Sequence, residues 1–406
     1  MMSVEVPYIA AIIARMPEPK INLAAYGVAF SIGLIVEAPI IMLMSASTAL
    51  VRGVKSYISL RNYMFLINFT LSLIIIFISI PDIFYFLSMK ILNLDLETSK
   101  NTHLAVIFLS PWPAAIGYRR FYQGILIKSE KTKYVAFSTI FRLIFMSITA
   151  YILYITNMFH GAATGAFSLS AGVITEAVAV RIMVSRSLKN LKKTEDNNLT
   201  FLEITKFYIP LAVTPLISIG IYPSATFFMS RGISPLESLA VMPVVNSLIF
   251  LFRSIGLSYQ EVVIALLSKS REYLPKIKEF ALILGVFCLA SMAVIALTPI
   301  SSLWFRHVSG LPDELVKFAT LPTVIMFLLP ASTVLLSYQR GMLVYFKQTT
   351  AITNGTFLEG VSTLVILGLL IGYSGLNGVT SAAWGFLIGR FFSTYFLHLS
   401  LKKIPL

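Results

Sequence analysis

The sequence predicts an all-α polytopic membrane protein: twelve transmembrane helices, the first of them truncated, arranged as two six-helix lobes related by an internal repeat. Three observations carry that expectation. The chain is 57% hydrophobic and only 12% charged, with a mean hydropathy of +0.83. Its apolar stretches recur near the length of about 20 residues that crosses a hydrocarbon core of about 30 Å. Its second half repeats features of the first at a nearly constant offset. Inside lipid each backbone amide needs an internal partner, which leaves helices or closed barrels. These runs are too long and too uniformly apolar for the alternating strands of a barrel.

Hydropathy and its punctuation place the spans near 2–16, 22–50, 62–88, 103–127, 134–157, 161–184, 206–230, 236–266, 278–303, 316–344, 352–373 and 378–400. The first is short, because Arg15 must lie outside the membrane. Fourteen residues of helix rise about 21 Å, less than the core thickness. The natural reading frame is therefore expected to start upstream of Met1 and to supply the missing end. Spans two and three are separated by Arg52, Lys55 and Arg61, and spans four and five by Lys128, Lys131 and Lys133. Arg186, Lys189, Lys192 and Lys193 follow span six; Lys269, Arg271, Lys276 and Lys278 follow span eight; Arg340 and Lys347 follow span ten; Lys402 and Lys403 end the chain. These even-numbered loops and the tail hold 18 Lys and Arg, against seven in the odd-numbered loops (Arg15, Lys20, Lys90, Lys100, Arg231, Arg306, Lys317). By the positive-inside rule the even loops and the C-terminus are cytoplasmic. The connections at 158–160 and 374–377 are tight and uncharged, and the longest break, "RSLKNLKKTEDNNLTFLEITK", reads as a linker between halves. The expected domains are 1–185, a cytoplasmic linker 186–205, and 206–406.

Several classes are excluded. A net charge of +14 would point to nucleic acid in a soluble protein, but in a membrane chain the cytoplasmic loop bias accounts for it, and no nucleic-acid partner is expected. A single cysteine, Cys288, makes no intramolecular disulfide. His103, His160, His307 and His398 have no ligand spacing, so no metal site is expected. There is no phosphate-binding G-x-x-x-x-G-K-[ST] loop, no H-E-x-x-H, no G-x-S-x-G and no connection long enough for a soluble catalytic domain. The chain is accordingly not read as an enzyme, and no cofactor is expected beyond a coupling H⁺ or Na⁺. The expected partners are a small-molecule substrate and the lipid bilayer, with the chain acting as a monomer.

The repeat has three segments. A shift of 217 aligns Pro113 with Pro330, Gly124 with Gly341, Leu126 with Leu343 and Thr132 with Thr349. A shift of 216 aligns Pro7 with Pro223, Arg15 with Arg231, Leu23 with Leu239 and Ala24 with Ala240. A shift of 213 aligns Gly165 with Gly378, Gly172 with Gly385 and "SLK" at 187–189 with "SLK" at 400–402. With six spans per half the repeats share one orientation, an arrangement characteristic of alternating-access transporters.

"NLAAYGVAF" opens span two, "RRFYQG" closes span four and "GLNGVTSAAWG" opens span twelve. On these segments and the 6+6 repeat the chain resembles the multidrug/oligosaccharidyl-lipid/polysaccharide (MOP) exporter superfamily, which includes the MATE efflux proteins and lipid-linked sugar flippases. Arg119, Phe121, Gln123 and Gly124 match the R-x-F-x-Q-G pattern with which span four of that family often closes. "LAAYGVAFSIGLIVEAPI" followed by "GILIK" looks more like the progressive ankylosis branch, associated with export of small organic anions. The resemblance implies that spans one, two, seven and eight line a central cavity.

Ionisable groups inside spans are functional candidates, since burying one unpaired in lipid is costly. They are Glu5, Glu37, Arg119, Arg120, Arg142, Glu176, Arg181, Arg253, Glu261, Glu359 and Arg390. Glu37 and Arg253 occupy equivalent positions under the 216 shift. They are read as an inter-lobe gate, or Arg253 as a holder of anionic substrate through its planar donor fork. Glu5 and Glu37 are candidate ion-coupling carboxylates, Glu5 beside a proline that bends its helix. Glu261 is expected to be solvated at the cytoplasmic interface. Arg142, Glu176 and Arg181 are expected to pair within the first half, and Glu359 with Arg390 within the second. Ser45, Ser47, Thr48, Thr226 and Ser230 mostly permit close packing, and only Asn246 is read as a substrate contact. Of the adjacent arginines, Arg119 is read as structural and Arg120 as an anion contact.

The expected function is export of small organic molecules by alternating access, driven by an ion gradient, with six intramembrane arginines against five glutamates favouring anions. The alternatives are a MATE-type H⁺- or Na⁺-coupled multidrug cation antiporter and a lipid-linked oligosaccharide flippase. The inner (plasma) membrane is the expected location.

Overall fold

The computed structural model describes residues 5–13, 15–92, 94–191, 198–229, 231–309, 311 and 313–404. Two compact units divide the chain, Met1–Lys206 and Phe207–Leu406.

In the first, α1 (Glu5–Ile13) precedes α2 (Pro19–Glu37) and α3 (Leu43–Leu50). Pro19 suits the first turn of α2, where its missing N–H is not needed. Pro39 lies in the 3₁₀ turn Ala38–Ile40, so the second predicted span is two helices in series and not one. α4 (Val54–Ile78) stops before Pro81, which opens the short α5 (Pro81–Tyr85) and a π-helical turn, Phe86–Ile91. The predicted third span, 62–88, is thus displaced: Lys55 and Arg61, read as loop charges, belong to α4. α6 (Leu96–Leu109) and α7 (Trp112–Lys128) form the fourth span, α8 (Thr132–Thr156) the fifth and α9 (Gly161–Lys189) the sixth. The Asp95 carboxylate caps α6 by accepting the Thr98 N–H at 2.9 Å, which holds its pKa below the usual carboxylate range.

The second unit follows the same order. It comprises α10 (Phe201–Met229) from Phe207 onward, α11 (Pro235–Leu257), α12 (Tyr259–Leu267), α13 (Leu274–Leu297) and α14 (Ile300–Leu303) with the π-helical turn Trp304–Val308. α15 (Asp313–Met326), α16 (Leu329–Tyr345), α17 (Thr349–Tyr373) and α18 (Gly378–Lys402) complete it. Lys192, Lys193 and Ser230 lie outside the described residues, as do the side chains of Pro7, Lys20, Pro223 and Ala240.

Nine segments among the described residues are long and apolar enough to cross a membrane. The other predicted spans correspond to α1, nine residues long, the polar α6–α7 pair, and α18, which carries Arg390 and His398. Burial is inverted relative to a water-soluble bundle. Leu282 is 69% exposed and Phe69 62%, on faces suited to lipid, while Arg119 is 1% exposed and Glu176 fully buried. The protein is therefore a multi-pass membrane protein.

Helix starts fix the repeat register more firmly than matched letters do. Leu96 and Asp313, Trp112 and Leu329, Thr132 and Thr349, and Gly161 and Gly378 each begin equivalent helices at a shift of 217, whereas α2 and α11 begin 216 apart. The 213 shift predicted for the last span is corrected: Gly378 answers to Gly161, not Gly165. Packing agrees, since a Cβ on Gly172 would meet the Arg142 carbonyl and one on Gly389 the Glu359 carbonyl. Those glycines are 217 apart, as are Arg142 and Glu359. In each lobe the last helix is the packing centre: α9 lies on α6, α7 and α8, and α18 on α15, α16 and α17.

Candidate substrate and ion sites in the two lobes

In the first lobe the charged side chains of α1, α7, α8 and α9 meet in one buried network. Glu176, fully buried on α9, receives Arg119 Nη1 at 2.6 Å on one carboxylate oxygen, with Arg142 Nη1 at 3.6 Å from the same atom. Its other oxygen accepts from Gln123 at 3.0 Å, Ser138 at 3.3 Å and Thr139 at 3.2 Å. Arg142 reaches across to pair with Glu5. Glu5 thus sits in the core of its lobe, and its Oε1 accepts no hydrogen bond among the described residues. Arg181, expected to join this network, instead stands exposed over the Tyr122 ring at 5.6 Å.

Glu37 closes α2 and is 7% exposed. Among the described residues it has no hydrogen bond or close ion pair, and the charge acting on it most strongly is that of Arg120. Arg120 is partly buried, its Nη1 directed at Met44 Sδ, 3.9 Å away, and its buried Nε has no partner among the described residues. The adjacent arginines therefore separate: Arg119 is tied into the network, while Arg120 lies outside it and its charge acts on Glu37. Counting Glu5, Glu37 and Glu176 against Arg119, Arg120 and Arg142, the core of this lobe is electrically balanced.

The second lobe is not balanced. Arg390 on α18 grips Glu359 on α17 with Nε at 2.8 Å and Nη2 at 2.7 Å from one carboxylate oxygen. This pair stands where Arg142 and Glu176 stand in the first lobe, with the signs exchanged: Glu359 takes the place of Arg142, and Arg390 lies one helical turn from the counterpart of Glu176. Arg390 Nη1 also donates to Thr333 Oγ1 at 3.1 Å, and Arg253 Nε donates to the same hydroxyl at 3.2 Å. Thr333 Oγ1 in turn donates to the Leu329 carbonyl at 2.7 Å. Two guanidinium nitrogens are thereby held no more than about 6 Å apart, a repulsion of about 3 kcal/mol at an effective dielectric constant near 20. Tyr222 of α10 lies beside Arg253.

A third guanidinium belongs to this group. Arg340, counted from sequence among the cytoplasmic loop charges, is inside α16 and donates from Nη2 to Thr356 Oγ1 at 2.7 Å. The charges of Glu359, Arg390 and Arg253 all act on it. Its proximity to the helix end made it resemble a loop residue. The repeat held the missed signal, since at a shift of 217 it replaces Gln123 of the R-x-F-x-Q-G pattern. Asn246 is partly buried on α11. Glu261, expected to be solvated, is instead buried at 7% exposure on α12. The core of the second lobe thus joins three arginines to one carboxylate.

The chain shares its fold with solved MATE and MOP superfamily transporters. A mutant of the Vibrio cholerae MATE transporter VcmN matches with a TM-score of 0.78 at 15% identity, over 99% of this chain and 93% of that one. A MOP superfamily transporter from Pyrococcus furiosus, whose binding pocket is described as of reverse polarity and suggesting a different function, matches with a TM-score of 0.75 at 11% identity, over 99% and 92%. The lipid II flippase MurJ in an inward closed conformation matches with a TM-score of 0.62 at 16% identity, over 95% and 82%. No protein-family model matches the sequence, and neither does any curated protein sequence.

Proposed function

We propose that the chain is a plasma-membrane secondary transporter that exports small organic anions by alternating access of its two lobes, with its C-terminus in the cytoplasm. The observation that carries this reading is the charge of the second lobe's core, three arginines around a single glutamate. A guanidinium does not lose its proton in any accessible pH range, so this group of described residues keeps a surplus of positive charge, and an anionic substrate supplies the counter-charge. A cation antiporter would be served by surplus carboxylates, yet Glu5 and Glu37 are each matched by an arginine in their own lobe. The ankylosis-like reading drawn from "LAAYGVAFSIGLIVEAPI" agrees in substrate sign. Of the two roles the sequence left open for Arg253, holding substrate is favoured, because its neighbours Thr333, Tyr222 and Arg390 are all in its own lobe. Glu37 and Glu5 are assigned to ion coupling, Glu37 as the carboxylate without a hydrogen bond and Glu5 as the one with a vacant oxygen, and Arg120 guides the anion past Glu37.

The test is accumulation in proteoliposomes under imposed H⁺ or Na⁺ gradients. The expected result is uptake of labelled mono- and dicarboxylates that collapses when the gradient is dissipated, with no movement of cationic dyes. Dye accumulation without anion flux would overturn the reading.

A further inference from the structure

Three features of the second lobe require a common explanation. Arg253 and Arg390 converge on one hydroxyl although they repel, Arg340 has a buried Nε with no partner among the described residues, and Glu359 is bonded by Arg390. In a core built only for stability, like charges would be spaced apart or each given a carboxylate, as the first lobe does with the equivalent helices. Here the repeat position of Arg142 holds Glu359, and Glu37 and Gln123 are replaced by Arg253 and Arg340; the group keeps three arginines, as in the first lobe, but one glutamate in place of three, a surplus of two positive charges.

The arrangement is elongated. Thr333 and Arg340 are seven residues apart on α16, about 10 Å along the axis. One station is formed by Arg253 in the last turn of α11, Arg390 at the middle of α18 and Thr333 in the first turns of α16, and the other by Arg340 and Thr356 nearer the end of α16 that precedes Lys347. Guanidinium forks bind oxyanions through paired N–H donors; the Thr333 and Thr356 hydroxyls, whose own protons go to the Leu329 and Ile352 carbonyls, accept from the arginines and position them.

Resting on the anion-export reading, we infer that Arg253, Arg340 and Arg390, positioned by Thr333 and Thr356, form a site in the second lobe for an oxyanion carrying two negative charges, either a dicarboxylate or a phosphate group. Two charges match the surplus left after Glu359 neutralises Arg390. A monovalent anion leaves one arginine uncompensated and is held less tightly. The single acid within the cluster fixes Arg390 in position, so that Arg253 and Arg340 are the arms that close on the ligand.

The site is testable on the purified full-length protein by thermal unfolding in sulfate, inorganic phosphate, acetate or chloride at matched ionic strength. The wild type is expected to melt at least several degrees higher in sulfate or phosphate than in acetate or chloride. Arg340→Gln and Arg253→Gln are expected to reduce the apparent affinity for sulfate at least tenfold. Their melting temperature in chloride is expected to equal or exceed that of the wild type, because a repulsive charge has been removed. A structural arginine would behave oppositely, lowering the melting temperature in every salt. Equal wild-type melting in sulfate and chloride, or an undiminished sulfate shift in Arg340→Gln, overturns the site. The two readings fail separately. An Arg340-dependent sulfate shift without anion accumulation in proteoliposomes removes the export reading and keeps the site. Accumulation that is insensitive to Arg340→Gln, with no dianion shift, removes the site and keeps export.

Discussion

Glu176→Ala is expected to destabilise the protein by about 3–5 kcal/mol, the cost of leaving a buried charge without its partner. Glu176 is fully buried and is the carboxylate to which Arg119 is bonded, at 2.6 Å, while Arg119 Nε and Nη2 already lack partners among the described residues. Alanine would leave Arg119 charged at 1% exposure and would withdraw the acceptor shared by Gln123, Ser138 and Thr139. Arg142 would retain Glu5 and lose less. The check is thermal unfolding of the detergent-solubilised protein. Glu176→Gln, which keeps an oxygen acceptor, should fall between alanine and wild type. Adding Arg119→Met to Glu176→Gln should recover much of the loss, since removing both charges is far less costly than removing one. Wild-type melting of Glu176→Ala would show that the network contributes nothing.

The second large effect is steric. Gly124 on α7 lies against α3, and a Cβ there would overlap Ser47 Oγ and the Met44 carbonyl oxygen. A serine side chain can rotate, but a helix carbonyl cannot move unless α3 moves with it. Gly124→Ala is therefore expected to cost about 1–3 kcal/mol from overpacking, more than the helix-propensity gain of up to about 1 kcal/mol. Gly341 makes the same approach in the second lobe, but its Cβ would come 2.7 Å from Val263 Cβ and 3.0 Å from the Gln260 carbonyl, so Gly341→Ala should be milder. Gly27 has nothing within 4 Å among the described residues, and Gly27→Ala should match or exceed wild-type stability. Melting temperatures in the order Gly27→Ala, Gly341→Ala, Gly124→Ala, from highest to lowest, are the predicted outcome. A reversed order would refute the packing account.

The pair Gly124 and Gly341 also shows why so much of the fold was legible in the sequence. Span length and hydropathy follow directly from bilayer thickness, and a close helix contact tolerates only the smallest residue, so the repeat left matching letters where packing is tightest. The last span was misregistered because recurrent glycines and an "SLK" triplet supplied equally good letters at the wrong offset. Helix starts at Gly161 and Gly378 depend on caps and turns, which short-range matching does not weigh.

The sites were less legible for a different reason. Arg119 was correctly placed because it belongs to a pattern with neighbours of fixed type. The Arg142–Glu176 and Glu359–Arg390 pairs occupy corresponding helices, yet their exchanged signs erase any identity between the repeats. Arg340 was hidden by position: five residues from the end of α16, it is indistinguishable by spacing from a cytoplasmic loop charge, and only its bond to Thr356 reveals that it points into the lobe. Arg340 raises the surplus charge of the second lobe, from which substrate sign is inferred, from one to two.

The central claim is that the second lobe's surplus arginines set the sign of the transported molecule. Its most direct test is transport by the reconstituted protein of three matched aromatic compounds: benzoate, neutral benzamide and cationic benzamidinium. The account predicts that benzoate moves or competes with the accumulated anion, that benzamide does so weakly, and that benzamidinium does neither. Transport or competition by benzamidinium at the level of benzoate would contradict it.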